Sequence, residues 1–404
     1  MIVSSLHLEN FRNYKELDLN FSPGVNVLFG NNGQGKTNVI ESIYMCACAR
    51  SHRTGKDQEL IYHNEDQYKI DLKYFSSFKD SQNSDFEEHI GIHYKQLNTV
   101  ANDHIRFKRD FFKDNIQITK VSEFVGQFHA VMFAPEDLQI IKSGPSERRR
   151  FLDLLISQVK PSYFKNLQDY GHILKQRNAL LKKYREQNTK LDVLQEAEIE
   201  IWDEAFANKA AKIIQDRFIT LDKLNYFAGN FHKDISGGLE EIKLKYDTIS
   251  SIYYEMDIEE MVANIYKRLQ QNRDFDVIRG YTSLGPHRDD FDILFNSISL
   301  KTFGSQGQQR TAVLAMKMAE LEIIRHDSKE APILLLDDVM SELDANRRKQ
   351  LVNSLQHIQI FVTCTDPEQL DQDWIENLNS NEISYYKVDQ GKVERMENTG
   401  RNMV

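Results

Sequence analysis

The chain has 404 residues, 40% hydrophobic and 28% charged, so it is long enough for two or three domains with a sizeable core. Its 51 basic and 61 acidic residues leave a formal net charge of −10, which argues against broad electrostatic wrapping of nucleic acid but allows a local basic patch. Three cysteines, no long apolar span and no signal-peptide pattern predict a cytoplasmic protein with reduced thiols that does not cross a membrane.

The first predicted elements are strands. Two stretches with partial alternation, residues 2–8 and 14–21, come before a buried-strand run at 25–29. Arg12 lies in the turn between the first two stretches. On the residues alone it is either a surface hairpin residue, the interpretation we favour at this point, or a contact to the phosphate or base of a bound nucleotide.

Residues 30–37 fit G-x-x-x-x-G-K-[ST], the phosphate-binding P-loop. Its glycines let several N–H groups point at one anion, and a helix predicted from about Lys36 adds its partially positive N-terminus. Lys36 is expected to reach the β- and γ-phosphates, and Thr37 to bind Mg²⁺. Because strand, loop and helix are in register, a chance turn is disfavoured, and the whole loop is assigned to nucleotide binding: Gly30, Asn31, Asn32, Gly33, Gln34, Gly35, Lys36 and Thr37.

The middle of the chain changes from sheet-like to helical sequence. Residues 51–130 are dominated by period-two runs, which predict an antiparallel sheet, and helical sequence runs from about residue 146 to 231. Two heptad stripes there, each interrupted by an arginine, predict a short antiparallel arm of two or three helices. Residues 142–190 hold 12 basic and 4 acidic side chains, which form either a solvated helix face or a stripe that contacts DNA phosphates.

Two motifs follow in the last third. Residues 305–308 precede a predicted long helix, where hydroxyl and N–H groups can face an anion. The apolar strand at 333–336 ends in Asp337 and Asp338, a Walker B pattern in which Asp337 supports Mg²⁺ and Asp338 polarises the attacking water, so that these two join Lys36 as the catalytic candidates. Since a compact P-loop core places the two motifs on neighbouring strands, the chain must leave the core and return, making one ATPase head from two sequence halves.

The order of these motifs resembles the RecF family, bacterial recombinational-repair ATPases related to SMC and ABC-type heads. The resemblance covers nearly the whole chain and rests on the P-loop and on residues 8–14, 133–138, 148–153, 285–290, 305–310 and 335–344. It implies an α/β fold, an ABC-type P-loop ATPase head with a mixed central sheet, an antiparallel β subdomain and an inserted α-helical arm. The implied segments are 1–145 for the first part of the head, 146–275 for the arm and 276–404 for the second part of the head.

The resemblance also implies roles that spacing alone does not. Arg12 joins the nucleotide contacts. Residues 341–344 resemble the D-loop at the dimer interface. The ABC signature motif, which in that family contacts the γ-phosphate bound by the other subunit, is resembled by Ser305, Gln306, Gly307 and Gln308.

The chain also departs from related ATPases at three places. ABC transporters usually have Glu where this chain has Asp338, and the shorter side chain fits slow hydrolysis. Thr363 stands where transporters have His. No glutamine occurs in 134–137, where SMC-like heads place one, and whether Gln139 substitutes is left open.

The function implied by the resemblance is ATP-dependent DNA binding in recombinational repair. ATP and Mg²⁺ would drive formation of a homodimer, and a weak DNA-stimulated ATPase activity would serve as the switch. The implied partners are single- and double-stranded DNA at gap junctions, RecR, and indirectly RecO and RecA, with action at single-strand gaps and stalled forks to help load RecA and a link to the SOS response.

Two alternatives remain open. An SMC-like structural head would need long heptad arms, and this arm is short. Another P-loop ATPase that does not act on gapped DNA, such as a small-molecule kinase, would not explain residues 305–308 together with 341–344.

Overall fold

The computed structural model describes residues 1–76, 86–97, 106–187, 191–237, 240–339, 358–369 and 383–396. The chain divides into two compact units, one formed by Met1–Asp137 with Lys317–Val404 and the other by Leu138–Met316. In chain order the strands are β1 Ile2–Phe11, β2 Tyr14–Asn20, β3 Val25–Phe29, β4 Gln67–Phe75, β5 Glu87–Leu97, β6 Arg106–Lys113, β7 Ile116–Ile118, β8 Ala130–Phe133, β9 Ile242–Asp247, β10 Asp290–Phe295, β11 Ile298–Ser299, β12 Ile333–Asp337, β13 Ile360–Cys364, β14 Ile383–Asp389 and β15 Lys392–Met396.

The helices are α1 Lys36–Cys48, α2 Val121–Phe124, α3 Gln139–Lys142, α4 Pro145–Val159, α5 Pro161–Gln187, α6 Val193–Ser236, α7 Ile258–Gln271, α8 Arg273–Arg279, α9 Leu300–Phe303 and α10 Gln306–Ser328. Short 3₁₀ turns lie at Asp57–Leu60, Pro135–Leu138 and Pro367–Gln369. Among the described residues, no helix is both long enough and apolar enough to span a bilayer.

The first unit contains the sheet that holds the P-loop. Its strand order is β15-β14-β3-β13-β12-β8, and every pairing is parallel except that of β15 with β14. All five residues of β12 are buried, as expected for a parallel strand that is covered on both faces. The carboxyl ends of β3, β13 and β12 therefore meet at one edge of this sheet.

A second, antiparallel sheet in the same unit has the order β2-β1-β4-β5-β6-β7. Its strands alternate as the sequence predicts: in β4 the side chains of Tyr68, Ile70, Leu72 and Tyr74 are buried and those between them are not. Together with the other sheet it confirms the mixed central sheet and the antiparallel subdomain of the predicted fold class.

The second unit is built on α4, α5 and α6, which form the predicted arm. A capping box of Asp192 and Gln195 begins α6, and Gly237 ends it in a left-handed conformation. The two arginines that interrupt the heptad stripes are fully buried in ion pairs. Arg177 binds Asp203 at 2.7 Å and Asp276 at 2.8 Å.

The other interrupting arginine, Arg217, joins the segment 285–290 to the helices. It binds Asp153 at 2.9 Å and Asp289 at 3.3 Å, and it donates to the Pro286 carbonyl at 2.8 Å. Arg148 donates two hydrogen bonds to the carboxylate of Asp290, at 2.6 and 2.8 Å. The motif at 285–290 is therefore a packing element of the arm.

The arm differs from the prediction in composition and extent. Strand β9 lies inside 146–275, which we expected to be α-helical, and it pairs with β10 in a three-stranded sheet of order β11-β10-β9. The alternation that buries Ile242 and Leu244 explains the strand. Because the contacts of Asp289, Asp290 and β10 are made with arm elements, residues 276–316 belong to the unit Leu138–Met316 and not to the head segment 276–404 in which we placed them.

Candidate functional site

The P-loop connects β3 to α1, as the spacing predicts. The buried Lys36 ammonium donates to the carbonyls of Gly30 at 2.6 Å and Asn31 at 3.0 Å, so it lies inside the curl of the loop. Asn31, Asn32 and Gly33 are exposed, and α1 begins at Lys36 without a side-chain cap on its first N–H groups. The loop therefore presents uncapped donors and one ammonium group to a common space.

Two of the loop glycines are required by their surroundings as well as by their backbone. Gly30 has φ +147°, and a Cβ there would lie 2.2 Å from the Val388 carbonyl oxygen. Gly35 has φ +120°, and a Cβ there would lie 2.5 Å from Asn13 and 2.6 Å from the Tyr14 hydroxyl. Any other residue at these positions would push the loop away from its supports.

The supports come from two turns that sequence reasoning missed. On one side, the Asn13 amide and the Tyr14 hydroxyl donate to the carbonyls of Gln34 and Gly35, at 2.8 and 3.0 Å. On the other, the backbone N–H of Gln390, between β14 and β15, donates to the Gln34 side chain at 2.6 Å. The loop is thus held in shape by groups far away in the sequence, and only the resemblance at residues 8–14 pointed to one of them.

The Walker B carboxylate meets the P-loop hydroxyl. Asp337 ends β12, and its Oδ1 accepts from Thr37 Oγ1 at 2.9 Å and from Thr363 Oγ1 at 2.7 Å. Thr363 is the register partner of Asp337 on β13, which lies between β12 and β3. The structure therefore brings together Lys36, Thr37, Asp337 and Asp338, which the sequence places about 300 residues apart.

Asp338 is held in a backbone conformation that is uncommon for a residue with a side chain. Its φ is +51°, and its N–H donates to Thr363 Oγ1 at 2.9 Å. The threonine hydroxyl thus fixes the carboxylate of Asp337 and the backbone of Asp338 at once. Thr363 was noted in the sequence as a departure from transporters, but this double role could not be read from it.

The electrostatics of Asp337 follow from burial. Desolvation raises the pKa of its carboxyl, the hydrogen bonds from Thr363 and Thr37 oppose the rise, and the negative charges of Asp338 and Glu136 add to it. Glu136, in the turn after β8, is therefore a third carboxylate near this edge of the sheet, which sequence reasoning missed. A cation placed between these groups would relieve their repulsion.

Arg12 is engaged with a buried carboxylate on the P-loop helix. Its guanidinium makes two hydrogen bonds to Glu41, at 2.9 and 2.8 Å, and a third to the Glu59 carbonyl at 3.0 Å. Glu41 is fully buried and also accepts from the Ser51 hydroxyl at 2.5 Å. In this structure Arg12 fixes α1 from the side, and its role as a nucleotide contact stays a prediction.

The remaining predicted site residues lie at the start of α10. Ser305 Oγ accepts from the Gln308 N–H at 3.2 Å, and the Gln308 side chain accepts from the Ser305 N–H at 2.9 Å, a reciprocal capping arrangement that includes Gln306 and Gly307 in its turn. Residues 341–344, expected to form the D-loop, lie outside the described residues. Gln139 accepts a hydrogen bond from the Ser143 hydroxyl at 2.5 Å.

The basic segment of the arm is partly internal. Arg148 and Arg177 are buried in ion pairs, and Arg149 donates to the Asp289 carbonyl at 2.6 Å. On α5, an exposed stripe remains at heptad-like spacing: Lys165, His172, Lys175 and Lys182. The positive charge of residues 142–190 is therefore partly neutralised inside the arm and partly exposed on α5, and contact of the exposed stripe with DNA stays a prediction.

The donor set fits a nucleoside triphosphate with Mg²⁺. The loop donors and the Lys36 ammonium are complementary to phosphate oxygens, and the Thr37 hydroxyl beside the Asp337 carboxylate supplies two of the oxygen ligands that Mg²⁺ prefers. Among the described residues no cluster of three or more His, Cys, Asp or Glu side chains could hold a metal ion. An ion at Asp337 would therefore need further ligands such as phosphate or water, as Mg²⁺ commonly has.

Comparisons with known proteins agree with this geometry. Residues 2–390 match the family model described as the RecF/RecN/SMC N terminal domain. A protein of Ruminiclostridium cellulolyticum called DNA replication and repair protein RecF is 40% identical over 97% of this chain and 99% of its own. A protein of the same name from Clostridium perfringens is 41% identical over 92% of this chain and 94% of its own.

Solved structures of related proteins also resemble this chain. A structure described as the recombination mediator protein RecF with ATP in the RecFOR pathway superimposes with a TM-score of 0.84 at 34% identity, covering 98% of both chains. The Smc head domain of Pyrococcus furiosus superimposes with a TM-score of 0.50 at 16% identity, covering 98% of this chain and 96% of that one, which supports the fold alone.

Proposed function

The chain belongs to the RecF family, and from this premise we propose that it is an ATP-dependent DNA-binding protein of recombinational repair. In this proposal the protein is a switch: it forms a homodimer when ATP is bound and separates after slow hydrolysis. The protein functions through DNA binding and assembly, and its ATPase activity is weak and DNA-stimulated.

The observation that supports the proposal best is the hydrogen bond of 2.9 Å between the hydroxyl of Thr37 and the carboxylate of Asp337. It joins the P-loop to the Walker B strand at one sheet edge, although the whole arm intervenes in the sequence. The RecF structure in the RecFOR pathway that contains ATP has the same fold over nearly the whole chain, so ATP is the nucleotide proposed here.

Each residue of the site has a role under this proposal. Lys36 neutralises the charge of the β- and γ-phosphates, Thr37 and Asp337 hold Mg²⁺, and Asp338 orients the attacking water as its acceptor. Bound Mg²⁺ supplies charge neutralisation at the reacting phosphate. Arg12 and Glu41 hold α1 so that its N-terminus stays directed at the phosphates.

The second copy of the chain contributes the signature turn. Ser305, Gln306, Gly307 and Gln308 are proposed to contact the γ-phosphate bound by the partner. The Ser305–Gln308 cap supports this assignment because it holds the hydroxyl and the first turn of α10 in a fixed arrangement, and a helix N-terminus favours an anion. The triphosphate would then bind both copies at once, and its hydrolysis would weaken their association.

The proposed partners follow the family. The DNA substrates are single- and double-stranded DNA at gap junctions, and RecR is the direct protein partner, with RecO and RecA acting through it. The biological setting is repair at single-strand gaps and stalled replication forks, linked to the SOS response. The relatives named DNA replication and repair protein RecF support the repair role, and the finer assignments are proposals.

The test is DNA binding measured by fluorescence anisotropy with and without ATP and Mg²⁺, at several salt concentrations. Gapped, duplex and single-stranded substrates of one sequence are compared for the wild type and for Lys36→Arg. The proposal predicts that ATP strengthens binding to gapped DNA by the wild type and has no such effect on Lys36→Arg. Equal binding by the wild type with and without ATP would contradict the switch.

A further inference from the structure

Helix α8 and the segment after it present a stack of alternating aromatic and arginine side chains. The Arg279 guanidinium carbon lies 4.2 Å from the ring centroid of Phe275 and 5.9 Å from that of Tyr281. The Arg288 guanidinium carbon lies 5.1 Å from the Tyr281 ring. Such contacts occur about once per 70–80 residues, so three that share side chains within residues 275–288 are a marked concentration. We call Phe275, Arg279, Tyr281 and Arg288 the arginine–aromatic stack.

The stack is exposed at the surface of the unit Leu138–Met316. Phe275 is 45% exposed, and Ile278 beside it is 74% exposed. The side chains of Arg279 and Arg288 are exposed as well. This apolar and aromatic surface is therefore available for contact, and it is not explained by packing within the arm.

The positive charge of the stack comes from guanidinium groups that form no ion pair within the described residues. In the parts of the chain that the structure describes, no carboxylate forms an ion pair with Arg185, Arg279 or Arg288. Arg185, at the end of α5, lies against Gly280 and donates to the Arg279 carbonyl at 3.2 Å. The stack and the adjacent Arg185 therefore hold three guanidinium groups, which contrasts with Arg177 and Arg217, both paired with carboxylates.

The combination of guanidinium and aromatic side chains favours one class of anionic partner over others. Guanidinium groups bind phosphates with two donors each, and aromatic or guanidinium faces stack with flat, uncharged rings. A duplex presents its phosphates, but the faces of its bases are covered by stacking within the helix. An acidic peptide can pair with the arginines, but its carboxylates do not stack on the rings of Phe275 and Tyr281. A single strand presents its phosphates and the faces of its unpaired bases along one backbone, so it can bind the arginines and stack on the aromatic rings.

We propose that the arginine–aromatic stack, with Arg185, is a binding site for single-stranded nucleic acid. Phosphates pair with Arg185, Arg279 and Arg288, and bases stack on the exposed ring of Phe275 and the half-exposed ring of Tyr281. This inference rests on the proposed function in taking DNA as the partner, and it deepens it by assigning the unpaired strand of a gap to the unit Leu138–Met316. Because all these residues belong to that unit, the site binds single strands without ATP.

The test uses the full-length protein and a fluorescein-labelled oligothymidylate of about 15 nucleotides, the size range of known single-strand sites, with anisotropy measured without ATP at several salt concentrations. Phe275→Ala and Phe275→Leu are expected to weaken binding about tenfold, since base stacking on an aromatic ring contributes about 1–3 kcal/mol. Arg279→Gln is expected to reduce the slope of log K against log salt by about 0.7, the value for one phosphate contact to a single strand. Arg279→Lys keeps the charge and loses the planar stack, so it should keep the slope and lose affinity.

The matched control is Lys267→Gln, which removes one exposed positive charge from α7 in the same unit without touching the stack. It should bind like the wild type, and thermal unfolding checks that every variant is folded. Binding of the oligonucleotide by the folded Phe275 and Arg279 variants as tightly as by the wild type would overturn the proposal, and so would an equal loss in Lys267→Gln. Absence of binding by the wild type would also overturn it and would leave an acidic protein as the partner of this surface.

ATP-dependent dimerisation of the wild type, measured in parallel, separates this inference from the proposed function. If the wild type dimerises with ATP but the stack variants keep their affinity, the binding site is wrong and the switch stands. If the wild type stays monomeric but the stack variants lose affinity, the switch is wrong and the binding site stands.

Discussion

Thr363 donates a hydrogen bond of 2.7 Å to the carboxylate of Asp337, its register partner on the neighbouring strand. The same hydroxyl accepts from the N–H of Asp338 at 2.9 Å. One side chain thus fixes the carboxylate proposed to hold Mg²⁺ and the backbone of the residue proposed to orient water.

The first prediction concerns this hydroxyl. Thr363→Val keeps the shape and removes the hydrogen bonds, leaving the N–H of Asp338 without its acceptor. We expect the free energy of unfolding to fall by about 1–3 kcal/mol and ATP hydrolysis to fall by more than binding of ATP. Chemical denaturation and a coupled ATPase assay measure these effects. Thr363→Ser, which keeps the hydroxyl, is the control, and equal hydrolysis by the valine and serine variants would count against the role of Thr363.

The second prediction concerns Arg12 and Glu41. Because Glu41 is fully buried, Arg12→Gln leaves its carboxylate without the bidentate partner and is expected to cost about 3–5 kcal/mol of unfolding free energy. The double variant Arg12→Gln, Glu41→Gln should be more stable than the sum of the single losses predicts. Additive losses in this double-mutant cycle, measured by denaturation, would show that the two side chains do not act as a pair.

The third prediction concerns Gly285, which has φ +121° in the arm. A Cβ there would lie 2.6 Å from the Phe206 ring and 2.8 Å from the Tyr170 hydroxyl, so Gly285→Ala is expected to cost about 2–4 kcal/mol through strain and overpacking. Gly229, within α6, has no atom within 4 Å of its Cβ position. Gly229→Ala is therefore expected to gain about 0.5–1 kcal/mol. Similar unfolding temperatures for the two variants would be the contrary result.

The fourth prediction concerns pH. Burial lowers the pKa of His287 from 6.5 to about 4, and the positive charge of Arg288 contributes, against a hydrogen bond to the Thr282 carbonyl that opposes the shift. Since that carbonyl can only accept, Nε2 donates to it and Nδ1 accepts from the Tyr170 hydroxyl at 2.6 Å.

The direction of the pH dependence follows from comparing proton binding by His287 in the folded and the unfolded chain. Below pH 6.5 His287 binds a proton in the unfolded chain, whereas in the folded protein it stays neutral until about pH 4. The free energy of unfolding therefore falls as the pH falls from 6.5 to about 4. Between pH 7 and pH 5 the wild type should lose about 2 kcal/mol more than His287→Gln. Denaturation curves at both pH values test this, with His172→Gln, an exposed histidine of α5, as the control. A wild type that loses no more stability than His287→Gln would contradict it.

Much of the head could be predicted because its motifs are local. The P-loop needs only eight consecutive residues, and β12 needs only an apolar run before Asp337, so both were placed correctly. The fold class followed from their separation and from the resemblance. The supports of the loop could not be predicted, since Asn13 and Gln390 reach it only through the folded backbone.

Two features of the arm depend on residues that are distant in the sequence. Strand β9 is a short alternating run within a charged segment, and only its pairing with β10 makes it a strand. Arg177 interrupts a heptad stripe in the sequence, yet it is buried because Asp203 and Asp276 come from other helices. Long-range partners decide both cases, and a linear pattern does not contain them.

The central claim is that ATP joins two copies of this chain, and multi-angle light scattering tests it most directly. The wild type, Lys36→Arg and Ser305→Arg are measured with and without ATP and Mg²⁺, after thermal unfolding has shown that each is folded. The account predicts a dimer only for the wild type with ATP, because one variant alters phosphate binding by the P-loop and the other alters the contact made by the partner's signature turn. A wild type that remains monomeric at saturating ATP, or a Ser305→Arg variant that dimerises like the wild type, would contradict it.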